Sequence, residues 1–443
     1  MRIFGDSVFS AEGEGWRRHR RIVGPAFGSA LYRLVWEQSL KTYREMISEE
    51  GWTDKKSVDI PVLQAATFKV NITQLSALGK ITYTQAGILS SPWSSSGYAP
   101  SVLTSIATAQ GEMTVQQVMR IVLDNHVFLV FAPEWLKRLP FPSIRHTVGA
   151  YTKLEQFMKD QVQIRREEIR GHTTGEYTRR DAFSMLVQAN ESEGEKHKLD
   201  DMELIGNIYV MLVAGHETTA HTLAATLGFL AIHQDAQDEV VQQIVDVVGY
   251  ERDPAFEDYH SLNKVLAAFY EALRFFRESA LLCLSNTRPI ERRSLKAAGH
   301  IVLRVLSDDT IIQIPNPRGE EGTQPLPVPK ETWFIADMIG IHRNPRHFEE
   351  PDKYKPSRWH DMNNDSEQFT AFSFGPRACI GRKFATTEAL CFLTMFLRDW
   401  EVQPILRPGE STEQWQSRVL DGKISFTLGA KDVPIRLTRR ERK

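Results

Sequence analysis

Apolar residues recur every three or four positions through most of the chain, a spacing that predicts α-helices with a buried face. The pattern predicts long helices over Ala30–Glu49, Met113–Phe131, Thr147–Arg170, Asp201–Ile232 and Ala236–Val248. Strand-like segments are few and late, and they cover Ile301–Leu306, Trp333–Met338 and Ile424–Leu428. Between the first two of these, Ser307–Lys330 is rich in Asp, Pro and Gly and predicts an exposed excursion. The fold class that follows is mainly α with a small β-sheet portion, in a single domain over residues 1–443.

The predicted helix Asp201–Ile232 is the longest and carries a polar interruption in its middle. Asp200 and Glu203 have the three-residue spacing of a capping box at its start. Halfway along stands Ala214-Gly215-His216-Glu217-Thr218-Thr219. Small residues leave room against one face, and the threonine hydroxyls can bond back to carbonyls one turn earlier. Either a ligand lies against this helix, or it is an ordinary buried helix with one polar window.

Composition narrows the class of protein. The chain has 443 residues, 42% of them hydrophobic, and a formal net charge of −2, which gives no reason to expect nucleic acid. Cys283, Cys379 and Cys391 are its cysteines, and their spacing predicts a reducing compartment without a disulfide framework. No run approaches the ~18 apolar residues of a membrane span, and Met1–Asp6 lacks the apolar core of a secretory signal.

Cys379 stands in an unusual setting, within Phe372-Ser373-Phe374-Gly375-Pro376-Arg377-Ala378-Cys379-Ile380-Gly381-Arg382. Gly375 and Gly381 permit backbone conformations and close approaches that a Cβ blocks, and a helix-like run over Lys383–Leu397 follows. Unpaired N–H groups at a helix start favour a thiolate, which is the form of cysteine that binds metal. Arg377 could pair with a carboxylate of the group that the sulfur holds. The alternative is a buried free cysteine beside a helix start.

The pattern Phe372-x-x-Gly375-x-Arg377-x-Cys379-x-Gly381 resembles the haem-binding loop of the cytochromes P450, the haem-thiolate monooxygenases. The resemblance implies haem b as cofactor and Cys379 as the ligand of its iron. It also implies that Ala214 and Gly215 border the haem, and that Glu217 and Thr218 deliver protons on its oxygen-binding side. Motifs of the family follow one another along about the whole chain, which is most similar to fungal, basidiomycete-like members.

A second resemblance joins three charged residues. Glu271 and Arg274, three positions apart, alone predict only a surface pair worth a few tenths of a kcal/mol. The segment Pro351–Trp359 resembles the family segment whose arginine joins such a pair behind the haem, and that arginine is Arg358 here. The resemblance implies one buried charge cluster of Glu271, Arg274 and Arg358.

The basic run after Gly15 supplies the third resemblance. Trp16 and Arg20 match the family spacing of a Trp and an Arg that bond the haem propionates, and Arg377 would neutralise them as well. Without the resemblance, such a run predicts a solvated helix face or a weak anion patch.

Taken with the residues, the resemblance implies a monooxygenase that inserts one oxygen atom of dioxygen into an apolar small molecule. Electrons would come from NADPH through a separate flavoprotein reductase, since the chain carries no Gly-x-Gly-x-x-Gly motif. One alternative is a haem-thiolate isomerase or dehydratase acting on peroxides; another is a truncated product without catalysis.

The start of the chain carries a further expectation. The family's membrane anchor, hinge, first helices and first strands have no counterpart before Trp16. We therefore expect an N-terminally truncated member of a family that usually sits on the cytosolic face of the endoplasmic reticulum membrane.

Overall fold

A computed structural model describes residues 3–61, 63, 105–108, 111–171, 181–194, 196–275, 301–317, 319–361, 369–420, 423–424, 428–430 and 432–441. The helices in these residues are α1 Gly13–Val23, α2 Ser29–Glu49, α3 Val115–Asp124, α4 His126–Phe131, α5 Glu134–Lys137, α6 Pro142–Gly171, α7 Ala182–Ser192, α8 Asp201–Ile232, α9 Gln234–Val247, α10 Asn263–Phe275, α11 Met338–His342, α12 Arg382–Asp399 and α13 Thr412–Val419. None of these helices is both long enough and apolar enough to cross a membrane.

The strands are short and antiparallel. They are β1 Ser57–Ile60, β2 Ser105–Thr108, β3 Gly111–Thr114, β4 Ile301–Val305, β5 Thr310–Pro315, β6 Thr323–Val328, β7 Trp333–Asp337, β8 Trp400–Pro404, β9 Lys423–Ile424, β10 Leu428–Gly429 and β11 Ile435–Arg439. In the largest sheet β11 lies between β1 and β8, with Ile60 opposite Ile435 and Leu437 opposite Val402. The other strands pair two by two, as β2–β3, β4–β7, β5–β6 and β9–β10.

Helix α8 runs through two separate hydrophobic cores. Its first half contributes buried residues, from Leu204 to Val213, to a core shared with α1, α3, α6 and α7. Its second half, from Leu223 to Ala231, belongs to a larger core shared with α2, α9, α10, α12 and the β1–β11–β8 sheet. The polar interruption at 214–219 therefore falls where one core ends and the other begins.

The mainly α fold class is confirmed. Helix α8 has the predicted bounds, and its capping box is formed: Glu203 N–H donates to Asp200 at 2.8 Å and Asp200 N–H donates to Glu203 at 3.1 Å. The other predicted helices are present with ends shifted by a few residues, except in the region of Met113–Phe131. The strands predicted from Ile301 and from Trp333 are present as β4 and β7.

Two predictions are wrong in detail, and a third is incomplete. Met113 and Thr114 belong to β3, and the helix expected to continue to Phe131 is interrupted at Asn125, whose side chain donates to the Ile121 carbonyl at 2.8 Å. Asparagine competes with the helix in this way because its short amide reaches nearby backbone groups. The strand expected over Ile424–Leu428 is two short strands, β9 and β10, paired with each other. The described residues of the excursion Ser307–Lys330 are largely exposed, as predicted, but they also form the hairpin β5–β6, which was not predicted.

The sheet β1–β11–β8 was not predicted. Its strands come from residues 57–60, 400–404 and 435–439, so its pairing joins a segment early in the chain to two segments near its C-terminus. Short strands assembled from distant segments carry little local signal, because tertiary packing decides whether such segments pair.

Candidate functional site

The middle of α8 is open in a helix that is otherwise largely buried. Ala214 is exposed and Gly215 and Thr218 are half-buried, whereas Val213 on one side and Thr219 on the other are buried. Small residues facing open space between two packed cores leave room for a flat, apolar body. The observation favours the prediction of a ligand against this helix over that of a buried helix with a polar window.

Thr218 is tied to its own helix. Its hydroxyl donates to the Ala214 carbonyl at 2.7 Å, and the Thr222 hydroxyl repeats the bond one turn later to the Thr218 carbonyl at 3.0 Å. The sequence predicted such back-bonding. Glu217 lies in the same helical turn, and its side chain, like that of His216, lies outside what the structure describes.

The Cys379 loop is closed by its own backbone. The Cys379 N–H donates to the Phe372 carbonyl at 2.8 Å and the Ala378 N–H donates to the Gly375 carbonyl at 3.0 Å. Phe372 packs against the larger core and Ile380 packs against the other, so the loop also spans both cores. Between these anchors the side chain of Cys379 is exposed. The loop thus presents a sulfur between contacts with the same two cores that α8 runs through.

The electrostatic surroundings of Cys379 differ from the prediction. Desolvation by the surrounding protein raises the pKa of the thiol, although the side chain is accessible to solvent. The backbone N–H of Gly381 and the positive charges of Arg382 and Arg20 lower this pKa, but burial is the larger effect. Helix α12 begins only at Arg382, three residues beyond the sulfur, so its first N–H groups help less than expected. A bound cation would supply the missing stabilisation of the thiolate.

The two glycines of the loop serve different purposes. Gly375 has φ of +73°, a left-handed conformation that favours glycine. Gly381 has φ of −85°, which any residue adopts, so conformational freedom is not its reason. A Cβ at Gly381 would lie 3.9 Å from the Cys379 sulfur, so glycine there keeps the space beside the sulfur free.

Trp16, Arg20 and Arg377 come together from distant parts of the sequence. The Arg377 guanidinium lies 4.6 Å from the Trp16 ring centroid and donates to the Ala11 carbonyl at 2.8 Å. Arg20, one turn after Trp16 on α1, is half-buried and close enough to Cys379 to affect its pKa. Trp16 and Arg377 are thus in contact and Arg20 lies near the sulfur, while their binding of haem carboxylates stays a prediction.

Glu271, Arg274 and Arg358 meet in one buried cluster. Arg274 Nε and Nη2 donate to the two Glu271 carboxylate oxygens at 3.0 and 2.9 Å, and both side chains are fully buried. Three further groups donate to the Glu271 carboxylate: Arg358 Nε at 3.0 Å, the Trp359 indole N–H at 2.6 Å and the Lys355 backbone N–H at 2.9 Å. The spacing of Glu271 and Arg274 therefore does not mark a surface pair. Helix α10 ends at Phe275, and residues 276–300 lie outside the described residues.

Sequence reasoning missed several residues around the site. Arg382 lies 5.5 Å from the Phe372 ring and 5.8 Å from the Phe369 ring, and so braces the base of the loop. His19 on α1 and Asn207 on α8 form a buried hydrogen bond of 2.7 Å. The signal for the latter was an asparagine within the apolar first half of α8, where a polar side chain needs a partner.

Comparison with known proteins agrees with this geometry. A family model described as Cytochrome P450 matches residues 2–287 and 322–426. A protein of Postia placenta named Cytochrome P450 monooxygenase 124 is 33% identical over 99% of this chain and 78% of its own length. A Streptomyces melanosporofaciens protein named Cyclooctat-9-en-7-ol 5-monooxygenase is 25% identical over 91% of this chain and 74% of its own length. The similarity thus extends beyond fungi.

Solved structures resemble the chain in fold. The crystal structure of a protein called cytochrome P450DA heme domain superposes with a TM-score of 0.68 at 19% identity. The match covers 99% of this chain and 81% of that one. At this identity the likeness concerns the fold, which agrees with the architecture described above.

Proposed function

Because this chain belongs to the cytochrome P450 family and is a haem-dependent monooxygenase, we propose that Cys379 is the ligand of the haem iron. The observation that carries the proposal is the exposed Cys379 sulfur, on a loop anchored to the same two cores that α8 runs through. Bound there, haem b supplies the activation of dioxygen, and a thiolate ligand favours cleavage of its O–O bond.

The described residues fit a haem group on both of its faces. Ala214 has a small side chain and Gly215 has none, so both leave space on an open stretch of α8, and Gly381 keeps space beside the sulfur. Phe372 packs under the loop, where it supports the backbone that carries Cys379. Gly375 turns that backbone through its left-handed conformation. Phe372 and Gly375 thus shape the loop that orients the sulfur.

Trp16, Arg20 and Arg377 would bind the two haem carboxylates. Guanidinium groups suit carboxylates because their N–H donors match the carboxylate geometry. The Arg377 guanidinium already lies over the Trp16 ring, 4.6 Å from its centroid, and this contact limits its rotamers before any carboxylate binds. Trp16 can add its indole N–H as a donor.

Glu217 and Thr218 would handle protons on the α8 side. Thr218 Oγ1 donates to the Ala214 carbonyl, so its lone pairs remain able to accept a proton from a neighbour. Glu217, in the same turn, would be the acid that replaces a proton passed on by Thr218. The cluster Glu271–Arg274–Arg358 has no part in this transfer, and we assign it to holding α10 against the segment 351–359.

We further propose that electrons arrive from NADPH through a separate flavoprotein reductase and that the substrate is an apolar small organic molecule. The family supports an electron donor and a small-molecule substrate. We propose the cytosolic face of the endoplasmic reticulum membrane as location, and a single domain over residues 1–443.

The test is turnover under isotopically labelled dioxygen, with apolar candidate substrates. A monooxygenase should place one labelled oxygen atom in the product only when both NADPH and a reductase are added. Conversion of a peroxide without either component would instead identify the isomerase or dehydratase alternative. The same assay with Cys379→Ser should give no labelled product. Cys391→Ala, which alters a buried cysteine in α12, is its control for general effects of losing a cysteine.

A further inference from the structure

His19 lies between Trp16 and Arg20 on α1, and its side chain is buried in the protein. It is 1% exposed, while Trp16 and Arg20 are half-buried on the side toward the Cys379 loop. A buried imidazole needs hydrogen-bond partners, because an unsatisfied buried polar group is costly. The partner that His19 finds is on α8.

That partner is Asn207, which is fully buried two helical turns before Ala214. Its Oδ1 accepts from the Val8 N–H at 2.8 Å, and its Nδ2 donates to the Glu203 carbonyl at 2.7 Å. These two backbone contacts fix which end of the amide carries the hydrogens. The remaining Nδ2 hydrogen points at His19 Nδ1, 2.7 Å away.

The orientation of the amide fixes the state of His19. Since Asn207 Nδ2 is a donor, His19 Nδ1 must accept, and the imidazole is neutral with its hydrogen on Nε2. That Nε2 lies 3.6 Å from a Glu203 carboxylate oxygen. Glu203 also pairs with Arg18 and closes the capping box of α8. Protonation of His19 Nδ1 would place an N–H against the N–H of Asn207.

We propose that the His19–Asn207 pair is a positioning element that holds α1 in register with α8, so that Trp16 and Arg20 meet the haem carboxylates, and that protonation of His19 releases it. The inference rests on the proposed function, in which Trp16 and Arg20 bind these carboxylates. His19 and Asn207 touch neither the haem nor substrate; they act through α1.

The charges around His19 set the direction of the pH effect. Burial lowers the pKa of His19 below its ordinary value of 6.5, and Arg18 lowers it as well. Glu203 on α8, the bond with Asn207 and Asp6 in the segment before α1 raise it, but they do not outweigh burial. The native state therefore prefers neutral His19. Neutral His19 therefore makes its full contribution to the free energy of unfolding above the pKa of histidine in the unfolded chain. That contribution is lost as pH falls from about 6.5 toward the lower pKa of the folded state.

The experiment measures haem release from the holoprotein to an excess of apomyoglobin, between about pH 7.5 and about pH 5, the range in which histidine titrates. His19→Leu removes the acceptor and should speed release at neutral pH by about tenfold, the size of one buried hydrogen bond. His19→Gln keeps an acceptor that does not titrate. We expect it to release haem slowly at neutral pH and to show a weaker acid dependence than the natural chain.

Arg17→Gln is the matched control, because Arg17 is an exposed neighbour on the same helix and, among the described residues, pairs with the exposed Glu14. It should release haem at the natural rate at every pH. Equal acid dependence of the natural chain and His19→Gln would overturn the proposal, and so would release from His19→Leu at the rate of Arg17→Gln. Should His19→Leu not fold, His19→Gln alone decides, since its pH profile is the readout.

Arg20→Leu separates failure of this inference from failure of the proposed function. If Arg20→Leu speeds release while the His19 variants do not, the haem site stands and the positioning role falls. If Arg20→Leu leaves release unchanged, Arg20 does not hold the haem, and its proposed role and this inference are both overturned.

Discussion

The cluster around Glu271 and the loop around Cys379 differ in whether their polar groups find partners within the chain. The charged groups of the cluster are hydrogen-bonded within the chain: the Glu271 carboxylate accepts from Arg274, Arg358, Trp359 and the Lys355 backbone. Arg274 also donates to the backbone carbonyls of residues 342, 351 and 353. This region is complete without a ligand and serves as scaffold.

The loop is complete only in its backbone. Its own hydrogen bonds shape it, but the sulfur of Cys379 is exposed, and burial raises its pKa with only partial opposition from nearby positive charge. Such a group is stabilised as a thiolate by a bound cation. Function is therefore expected at the Cys379 loop, where the sulfur is exposed and a bound cation would stabilise its thiolate.

The largest expected effect comes from breaking the closed region. Arg274→Ala leaves Glu271 buried with part of its partners removed and should lower the free energy of unfolding by about 3–5 kcal/mol. Urea unfolding followed by circular dichroism measures this. Lys353→Ala, which removes only an exposed side chain paired with Glu350, is the control and should change stability little. Equal stability of the two variants would show that the cluster is not a scaffold.

A change on the α8 side should affect chemistry and spare the fold. Thr218→Ala removes the hydroxyl at the open stretch and should divert about tenfold more of the consumed electrons into peroxide, because proton delivery is impaired. Thr222→Ala removes the same kind of back-bond one turn further on, where the helix is buried. Peroxide released per NADPH consumed is the measurement. The same ratio in both variants would remove Thr218 from proton delivery.

A smaller effect should come from the backbone of the loop. Gly375→Ala forces a Cβ into a left-handed conformation and should cost about 1–2 kcal/mol. Gly24→Ala is the control, since Gly24 has φ of −54° and nothing near its missing Cβ. The two melting temperatures should differ, with Gly375→Ala the lower. A Gly375→Ala variant as stable as Gly24→Ala would show that the loop tolerates another backbone path.

The sequence predicted what local chemistry decides. The bounds of α8 follow from Asp200 and Glu203 at its start and from its apolar periodicity. The loop residues followed from glycine, proline and arginine around one cysteine. Prolines alternate with apolar residues in β6, and these hid the β5–β6 hairpin because proline is rare in strands. The β1–β11–β8 sheet and the His19–Asn207 bond depend on which distant segments meet, and this is settled by packing.

Whether Cys379 is the ligand of the haem iron can be read from a single spectrum. The reduced protein should give a carbon monoxide difference spectrum with the red-shifted band of a thiolate-bound haem. Cys391→Ala, which alters a cysteine buried against the Trp36 carbonyl in the same helix region, should keep that band. Cys379→Ser should lose it while retaining the helical circular dichroism of the natural chain. An undiminished band in Cys379→Ser would place the iron ligand elsewhere and contradict the account.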